Sequence, residues 1–258
     1  MTSEFGNVSD DYAKYRDALP QILFNQLTEQ GVFFAGNQII ELGSGTGIIS
    51  RDLAMLGAHV IGIEPSPQMI EQAERSVFGT SVGSVRYICA AAESFEVDHR
   101  VPIMIAVRAW HWFDRTKTLQ NIDKHLTEDG ILIIINSIFR SDSDIAQLTF
   151  GVLQDHGIEM KPAGSHSSAS LRRNGFPVDW FEEWGQHRFQ VVAEWQYEYA
   201  LPYSHDAWCG KIRSVSWLTD IEEEVRMHVT ADLMGRLQGH AALIHIPHQA
   251  SVVVLRKR

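Results

Sequence analysis

The 258-residue sequence predicts an α/β protein: a doubly wound, mostly parallel seven-stranded sheet with an antiparallel C-terminal strand and an inserted helical cap. Three observations predict this fold. Short apolar segments alternate with helical patterns at βαβ spacing through residue 136, the order that yields parallel strands covered by helices. A glycine-rich loop, Gly43-Ser44-Gly45-Thr46-Gly47, separates the first strand of that series from its helix. Beyond residue 140 the alternation stops, and the period-two pattern over 189–201 reads as an antiparallel strand with one wetter face.

Residues 10–29 read as helical, with Tyr12, Tyr15, Leu19, Leu23 and Leu27 near one face and a break or new start at Pro20. The segment 38–42 is a short apolar strand. A helix over 48–56 follows the glycine loop and closes on Gly57. The second strand, 59–63, ends in Glu64-Pro65, and Pro67 opens a helix to residue 76. Strands at 85–90 and 103–107, a helix over 116–125 and an Ile-rich strand over 130–136, buried on both faces, complete the series. A helix over 144–156 precedes a Gly-, Ser- and Pro-rich stretch to 179 that shows no strand. The strand 189–201, a charged amphipathic helix over 217–237 and a last strand over 250–255 end the chain. No linker-like stretch marks a boundary, so one domain over 1–258 is expected. It divides into N-terminal helices (1–36), a core (37–140), a cap insertion (141–187) and a C-terminal hairpin and helix (188–258).

Composition narrows the function classes. Apolar residues make up 45% and charged residues 21%, enough to bury a core. A net charge of -10 argues against a nucleic-acid partner, which needs clustered Lys and Arg. The basic cluster Arg256-Lys257-Arg258 reads as a solvated tail. Cys89 and Cys209 form neither a disulfide framework nor a CxxC site, which suits a reducing cytoplasm. No signal peptide or membrane-spanning run is visible, so no membrane partner is expected. His166, His187, His240, His245 and His248 show no metal-ligand spacing and read as scattered surface or half-buried residues, so no metal is expected. Neither a Gly-x-Ser-x-Gly elbow nor a P-loop Lys supports a hydrolase or kinase.

The glycine loop carries the chemistry. Glycines at alternate positions let the backbone turn sharply and let a ligand lie against main-chain N–H groups. The spacing G-x-G-x-G differs from the dinucleotide fingerprint G-x-G-x-x-G. Glu41, two residues before Gly43, is badly placed beside a pyrophosphate and well placed to attract a cationic amino group. Glu64 closes the second strand, where a carboxylate can accept both hydroxyls of a ribose; its alternative role is a helix-capping acid.

On these residues, Glu41–Glu74 resembles motifs I and II of the class I S-adenosylmethionine-dependent methyltransferases, which have a Rossmann-like fold. Ala91-Ala92-Glu93-Ser94-Phe95 resembles the family's "D-A-E-x-L" segment, which meets the adenine. Ala109-Trp110-His111-Trp112-Phe113-Asp114 resembles the "HWF-D" element of its small-molecule branch (type 11), which includes trans-aconitate methyltransferase. Tyr15-Arg16 is similar to the "Y-R-P" of an N-terminal helix that folds over the cofactor. Thr127-Glu128-Asp129-Gly130 stands where the family shows "L-x-P-G-G". The likeness covers most of the chain and is weakest over 141–184. Ala91 departs from the family's Asp, Val101-Pro102 from its "F-D", and Arg108 from its small or polar strand-end residue.

The resemblance implies S-adenosylmethionine as cofactor, with S-adenosylhomocysteine as product. It implies contacts from Tyr15, Arg16, Glu41, Gly43, Ser44, Gly45, Thr46, Gly47, Glu64, Pro65, Ala92, Glu93, Ser94, Val107, Arg108, Trp110 and Trp112. The expected reaction is methyl transfer by in-line displacement to an oxygen or nitrogen of a small-molecule acceptor, a carboxylate or a phenol. His111 is the candidate general base for an acceptor that must lose a proton. The alternative is that its ring packs between Trp110 and Trp112 and orders the pocket. Trp110 and Trp112 offer pocket walls and a cation–π face to a sulfonium. Arg16 and Arg108 can anchor an anionic acceptor or the cofactor carboxylate. The aromatics Trp180, Phe181, Trp184, Trp195, Trp208 and Trp217 enrich the half expected to hold the acceptor. Two rivals stand beside this reading: a non-catalytic S-adenosylmethionine-binding protein and a nicotinamide-dependent oxidoreductase. Glu41 and the glycine spacing disfavour the second. The pattern specifies no oligomeric state.

Overall fold

The structure, a computed structural model, describes residues 9–76, 82–160 and 171–258. His166 therefore lies outside the described residues. Two helices, α1 (Ser9–Tyr15) and α2 (Gln21–Glu29), are separated at Pro20, which sits at the N-cap of the second in extended conformation. The βα series then runs β1 (Gln38–Leu42), α3 (Ile48–Met55), β2 (His59–Glu64), α4 (Pro67–Arg75), β3 (Ser84–Cys89), β4 (Val101–Val107), α5 (Arg115–His125) and β5 (Leu126–Phe139). The chain continues through α6 (Asp144–Asp155), the short strands β6 (Arg172–Arg173) and β7 (Phe176–Pro177), and α7 (Val178–Gln186). It ends with β8 (Phe189–Ser204), α8 (His205–Arg213), α9 (Glu223–Leu237) and β9 (Leu243–Lys257).

Seven strands form one sheet in the order β3-β2-β1-β4-β5-β9-β8. The pairs from β3 through β5 are parallel. Strand β9 runs against them: the amide of Arg140, just past the end of β5, donates to Pro247 O near the start of β9. At the other end, the Lys257 ammonium reaches Leu126 O at the start of β5. This is the expected mostly parallel sheet with an antiparallel C-terminal strand. Local signals place its helices. The Ser66, Asp114 and Ser143 side chains accept from the third residue beyond them and cap α4, α5 and α6. Gly57, at φ 89°, ends α3 in a Schellman turn, with Ala58 N donating to Leu53 O and Gly57 N to Ala54 O.

Several expectations need correction. The stretch before residue 179 does hold strands: Asn174 and Gly175, both at positive φ, turn the β6–β7 hairpin. The helix expected from 217 starts at Glu223, because 215–221 forms successive tight turns instead. Strand β9 starts seven residues before the expected 250, and β5 starts four before the expected 130. Two steps along β4, from Val101 to Ile103, match five along β5, from Leu126 to Ile131, with Asp129 at φ 58° in the excess. Lys257 is no solvated tail. It is 1% exposed, its ammonium bonds Asp123 O at 2.7 Å, and it pairs with Asp123 and Glu128.

The chain divides into two compact units, one of Ala18–Ser137, Gly164–Tyr197 and Ala250–Arg258, the other of Met1–Asp17, Ile138–Ala163 and Glu198–Gln249. In the first, the strand side chains Ile40, Leu42, Met104, Leu132 and Val253 share a core with Trp110, Phe176, Trp180 and Trp184. Arg115, at the start of α5, makes a bidentate pair with Glu183 of α7 at 2.6 and 2.8 Å. Its guanidinium lies over the Trp180 ring.

The second unit has its own apolar core, in which Trp208 of α8 meets Ile145, Val152, Val229 and Leu233. Helix α1 is held to α8 by polar contacts: Arg213 chelates Asp11, the Tyr15 hydroxyl donates to Asp206, and Arg16 donates to Ser214 O. The Tyr15 ring lies where Gly210 has no side chain. A buried polar cluster closes this unit. The Lys211 ammonium bonds the Asp17 carboxylate, the Tyr203 hydroxyl at 2.6 Å and His248 Nε2 at 3.0 Å, and the Tyr203 hydroxyl also donates to Asp17. His248 donates from Nδ1 to Ile246 O at 2.8 Å and stacks on Tyr199 and Tyr203. It is a buried core histidine, contrary to its reading as a surface or half-buried residue.

Candidate functional site

The glycine loop leaves the carboxyl end of β1 and is pinned to β2. Gly43 N and Ser44 N both donate to Ile63 O, at 2.8 and 3.0 Å. Gly43, Gly45 and Gly47 all lie in the left-handed region, at φ 71°, 54° and 72°. Close approach also demands glycine at two of them. A Cβ on Gly43 would meet Ala109 Cβ at 2.6 Å, and one on Gly47 would overlap the Tyr87 hydroxyl. Glu64 braces the loop: Gly45 N donates to its Oε2 at 2.9 Å and Ser66 N to its Oε1 at 3.0 Å. Burial raises its pKa, partly offset by those two backbone donors. Ser44 Oγ and Thr46 Oγ1 are buried in the same loop with no hydrogen-bond partner.

Glu41 lies beneath this loop, 2% exposed, on β1 between β2 and β4. The Ser50 hydroxyl of α3 donates to its Oε2. Burial pushes the Glu41 carboxyl up to about 8, against the Ser50 hydrogen bond and the nearby Arg108 charge. Asp52, also on α3, is pushed up to about 6 by burial, with Arg51 and Arg108 opposing. Its Oδ2 is buried without a hydrogen-bond partner.

The remaining expected residues of this unit gather at the carboxyl ends of neighbouring strands, where ligands bind in open α/β sheets. Pro65 follows β2, and its carbonyl faces the Cys89 thiol at the end of β3. After β3, Asn121 holds the turn around Ala92 by donating to Ala92 O and Phe95 O. Glu93 accepts from Asp114 N at 2.8 Å, and Ser94 is exposed. Val107 ends β4. Arg108 follows at φ 55°, its amide bonded to Ile135 O, a left-handed conformation uncommon for a long side chain.

Trp110–Trp112 is one turn of 3-10 helix, and its three side chains diverge. Trp110 is 2% exposed and packs into the core against Phe113 and Trp184. His111 is half-buried, with its ring 5.0 Å from that of Trp112, which is exposed. Tyr15 and Arg16 belong to the other unit, where they contact α8. Sequence reasoning missed Ser50, Arg51, Asp52 and Tyr87 around Glu41. The legible signal was Gly62, a glycine inside a buried strand, which marks a close approach: a Cβ there would meet Tyr87 Cδ1 at 2.6 Å. Among the described residues no group of three or more His, Cys, Asp or Glu is placed to hold a metal ion, and no helix is long and apolar enough to cross a membrane.

Residues 40–134 match the family model described as "Methyltransferase domain". An uncharacterized methyltransferase of Mycobacterium tuberculosis is 24% identical over 136 residues, 52% of this chain and 52% of that protein. The malonyl-[acyl-carrier protein] O-methyltransferase of Bacillus anthracis is 27% identical over 127 residues, 48% of this chain and 46% of its own length. The chain thus spans about half the length of the curated relatives it matches. Among solved structures, a protein of Anaeromyxobacter dehalogenans, provisionally assigned as a type II methyltransferase, superposes with a TM-score of 0.65. It is 19% identical, with 95% of this chain and 98% of that one covered. A methyltransferase of Thiobacillus denitrificans in complex with S-adenosyl-L-homocysteine gives 0.55 at 18% identity, with 100% and 99% covered. Residues 40–134 thus carry a methyltransferase domain, and the strand order with the glycine loop after β1 gives the chain the Rossmann-like fold of the methyltransferases it superposes on.

Proposed function

We propose that the protein transfers a methyl group from S-adenosylmethionine to an oxygen or nitrogen of a small-molecule acceptor, a carboxylate or a phenol. The observation that carries this reading is a pair of buried carboxylates, Glu41 and Glu64, flanking a left-handed glycine loop with two unpartnered buried hydroxyls. The cradle fits the cofactor. Glu41 suits its ammonium, Glu64 has lone pairs left for the ribose hydroxyls, and the Ser44 and Thr46 hydroxyls of the loop have no partner of their own. Pro65, Ala92, Glu93 and Ser94 stand at the adenosine end, and Val107, Arg108, Trp110 and Trp112 at the strand end beside the loop. When bound, S-adenosylmethionine supplies a methyl carbon already activated by a positive sulfur. The chain's part is to hold the acceptor in line and exclude water, which can contribute on the order of 7–11 kcal/mol. The name of the Bacillus relative, an O-methyltransferase, favours oxygen as the acceptor atom.

The first test is calorimetric titration with S-adenosylhomocysteine and with NAD, followed by methyl transfer to a panel of acids and phenols. Binding of NAD alone would overturn the cofactor, and binding of S-adenosylhomocysteine without any methyl transfer would favour a non-catalytic protein.

The pH dependence follows from Glu41. With its pKa raised from 4.5 to about 8, the folded chain keeps a proton there that the unfolded chain loses. The ligand-free protein is therefore expected to lose stability as pH rises from about 4.5 to 8. An ammonium bound beside Glu41 needs the carboxylate. Affinity for S-adenosylhomocysteine should thus rise about fifty-fold from pH 6 to pH 8 and level off above. An affinity flat over that range would remove Glu41 from the role.

His111 is the proposed general base. For a phenolic acceptor, His111→Ala should lower kcat by about 10²–10⁴. A carboxylate acceptor, already ionised, should be little affected. Equal losses for both acceptors would make the ring a packing element against Trp112.

A further inference from the structure

We propose that Asn121 is a positioning residue for the adenine end of the cofactor site, acting through the turn 91–95, a role that rests on the cofactor reading given above. Helix α5 meets that turn with a partly polar face. Its buried residues Leu119 and Ile122 are apolar and join the core, whereas the buried Arg115, Thr118, Asn121 and His125 are polar. Asn121 is 2% exposed. Its Nδ2 donates to Phe95 O at 3.0 Å and to Ala92 O at 3.4 Å. One turn further along α5, the His125 ring lies 5.0 Å from that of Phe95.

The turn closes on Ala91 O, which accepts from Ser94 N and Phe95 N. Asn121 answers two further carbonyls of the same segment. The amide is oriented by these donors: its Oδ1 is buried without a hydrogen-bond partner, while its nitrogen, with two N–H groups, serves both carbonyls. An apolar side chain would suit the core at this position; an amide suits the turn.

The consequence lies in the peptide planes. A trans peptide carries its C=O and N–H on opposite sides. With Ala92 O held toward α5, the Glu93 N–H must point away from that helix. The Glu93 side chain is fixed as well, since its Oε1 accepts at 2.8 Å from the N–H of Asp114, the residue that caps α5. One helix thus sets the direction of both the donor and the acceptor that residue 93 can present. An adenine edge has the complementary pair, because N1 accepts and the 6-amino group donates. Hypoxanthine reverses both, with a protonated N1 and an oxygen at C6.

The test is Asn121→Leu, which keeps the bulk on α5 and deletes both donors. Calorimetry would compare S-adenosylhomocysteine with S-inosylhomocysteine, which has hypoxanthine in place of adenine and is otherwise identical. Wild-type protein should prefer the adenine compound by at least about tenfold, since the other opposes both groups of residue 93. In Asn121→Leu, S-adenosylhomocysteine affinity should fall about tenfold and the preference should shrink to within about threefold. Asn121→Ala should give the same pattern and carries the test if the leucine variant fails to fold. Equal losses for both compounds, with the preference kept, would reduce Asn121 to a packing residue. Unchanged affinity, or a wild-type protein without the preference, would equally overturn its role. Each of these results leaves the cofactor reading standing. Wild-type protein that binds neither compound would overturn the cofactor reading itself.

Discussion

Asp17→Ala is expected to lower the unfolding free energy by about 3–5 kcal/mol, the cost of breaking a buried ion pair from one side. Lys211 is 4% exposed, and the Asp17 carboxylate is its anionic partner within the cluster of Tyr203 and His248. Without that carboxylate, the ammonium loses this ion pair in a site walled by Trp208 and Tyr203. Urea denaturation of the variant checks the magnitude. The double variant Asp17→Ala, Lys211→Met should recover a large part of the loss, because the stranded charge goes with its partner. A single variant within 1 kcal/mol of wild type would mean that the ammonium finds water. The surface arginine Arg140, paired with Asp142 and Glu198 in the same unit, offers the control: its removal should cost far less than that of Asp17, since solvent screens exposed pairs.

Gly43→Ala is expected to damage the proposed cofactor site through a single methyl group. At φ 71° an alanine pays about 1–2 kcal/mol for left-handed backbone. Its Cβ would stand 2.6 Å from Ala109 Cβ, an atom fixed to the main chain that cannot rotate away. Overpacking of that kind costs about 1–3 kcal/mol more. Gly43 N is bonded to Ile63 O, so relief must come from moving the loop away from β2 or the segment after β4. Either movement displaces Glu41 or Arg108. The variant should fold with reduced thermal stability and lose at least tenfold in S-adenosylhomocysteine affinity, read by calorimetry. Gly36→Ala is the contrast: it also has positive φ, at 74°, but nothing stands within 4 Å of its added Cβ. It should carry the backbone cost with no change in affinity.

Much of this molecule is legible in one dimension wherever local chemistry decides. The βα series through residue 136 follows from apolar runs of strand length and from caps written beside them: Ser66 before Pro67, Asp114 before α5, Gly57 after α3. The glycine loop is equally local, since left-handed backbone at three alternate residues favours glycine whatever surrounds it. Legibility fails where the partner is distant. Lys257 looks like a tail residue because Asp123 and Glu128, its partners, lie more than 120 residues away. Trp110 shows no sign in its neighbours that Trp184 of α7 packs against it. His248 shows no sign in its neighbours that Lys211 and two tyrosines enclose it. The β6–β7 hairpin is the exception, a local signal overlooked: Asn174-Gly175 is a turn pair in its own right.

The sequence by itself determined the fold class, the glycine loop at Gly43–Gly47 and the two acids that flank it, because steric freedom and hydrogen-bond capacity are properties of single residues and short spacings. Only the tertiary structure decided the state of those acids. Whether Glu41 is ionised depends on how far water is excluded and on what Ser50 and Arg108 offer in its place. Desolvation and Coulomb interactions act through space, and no spacing along the chain encodes them.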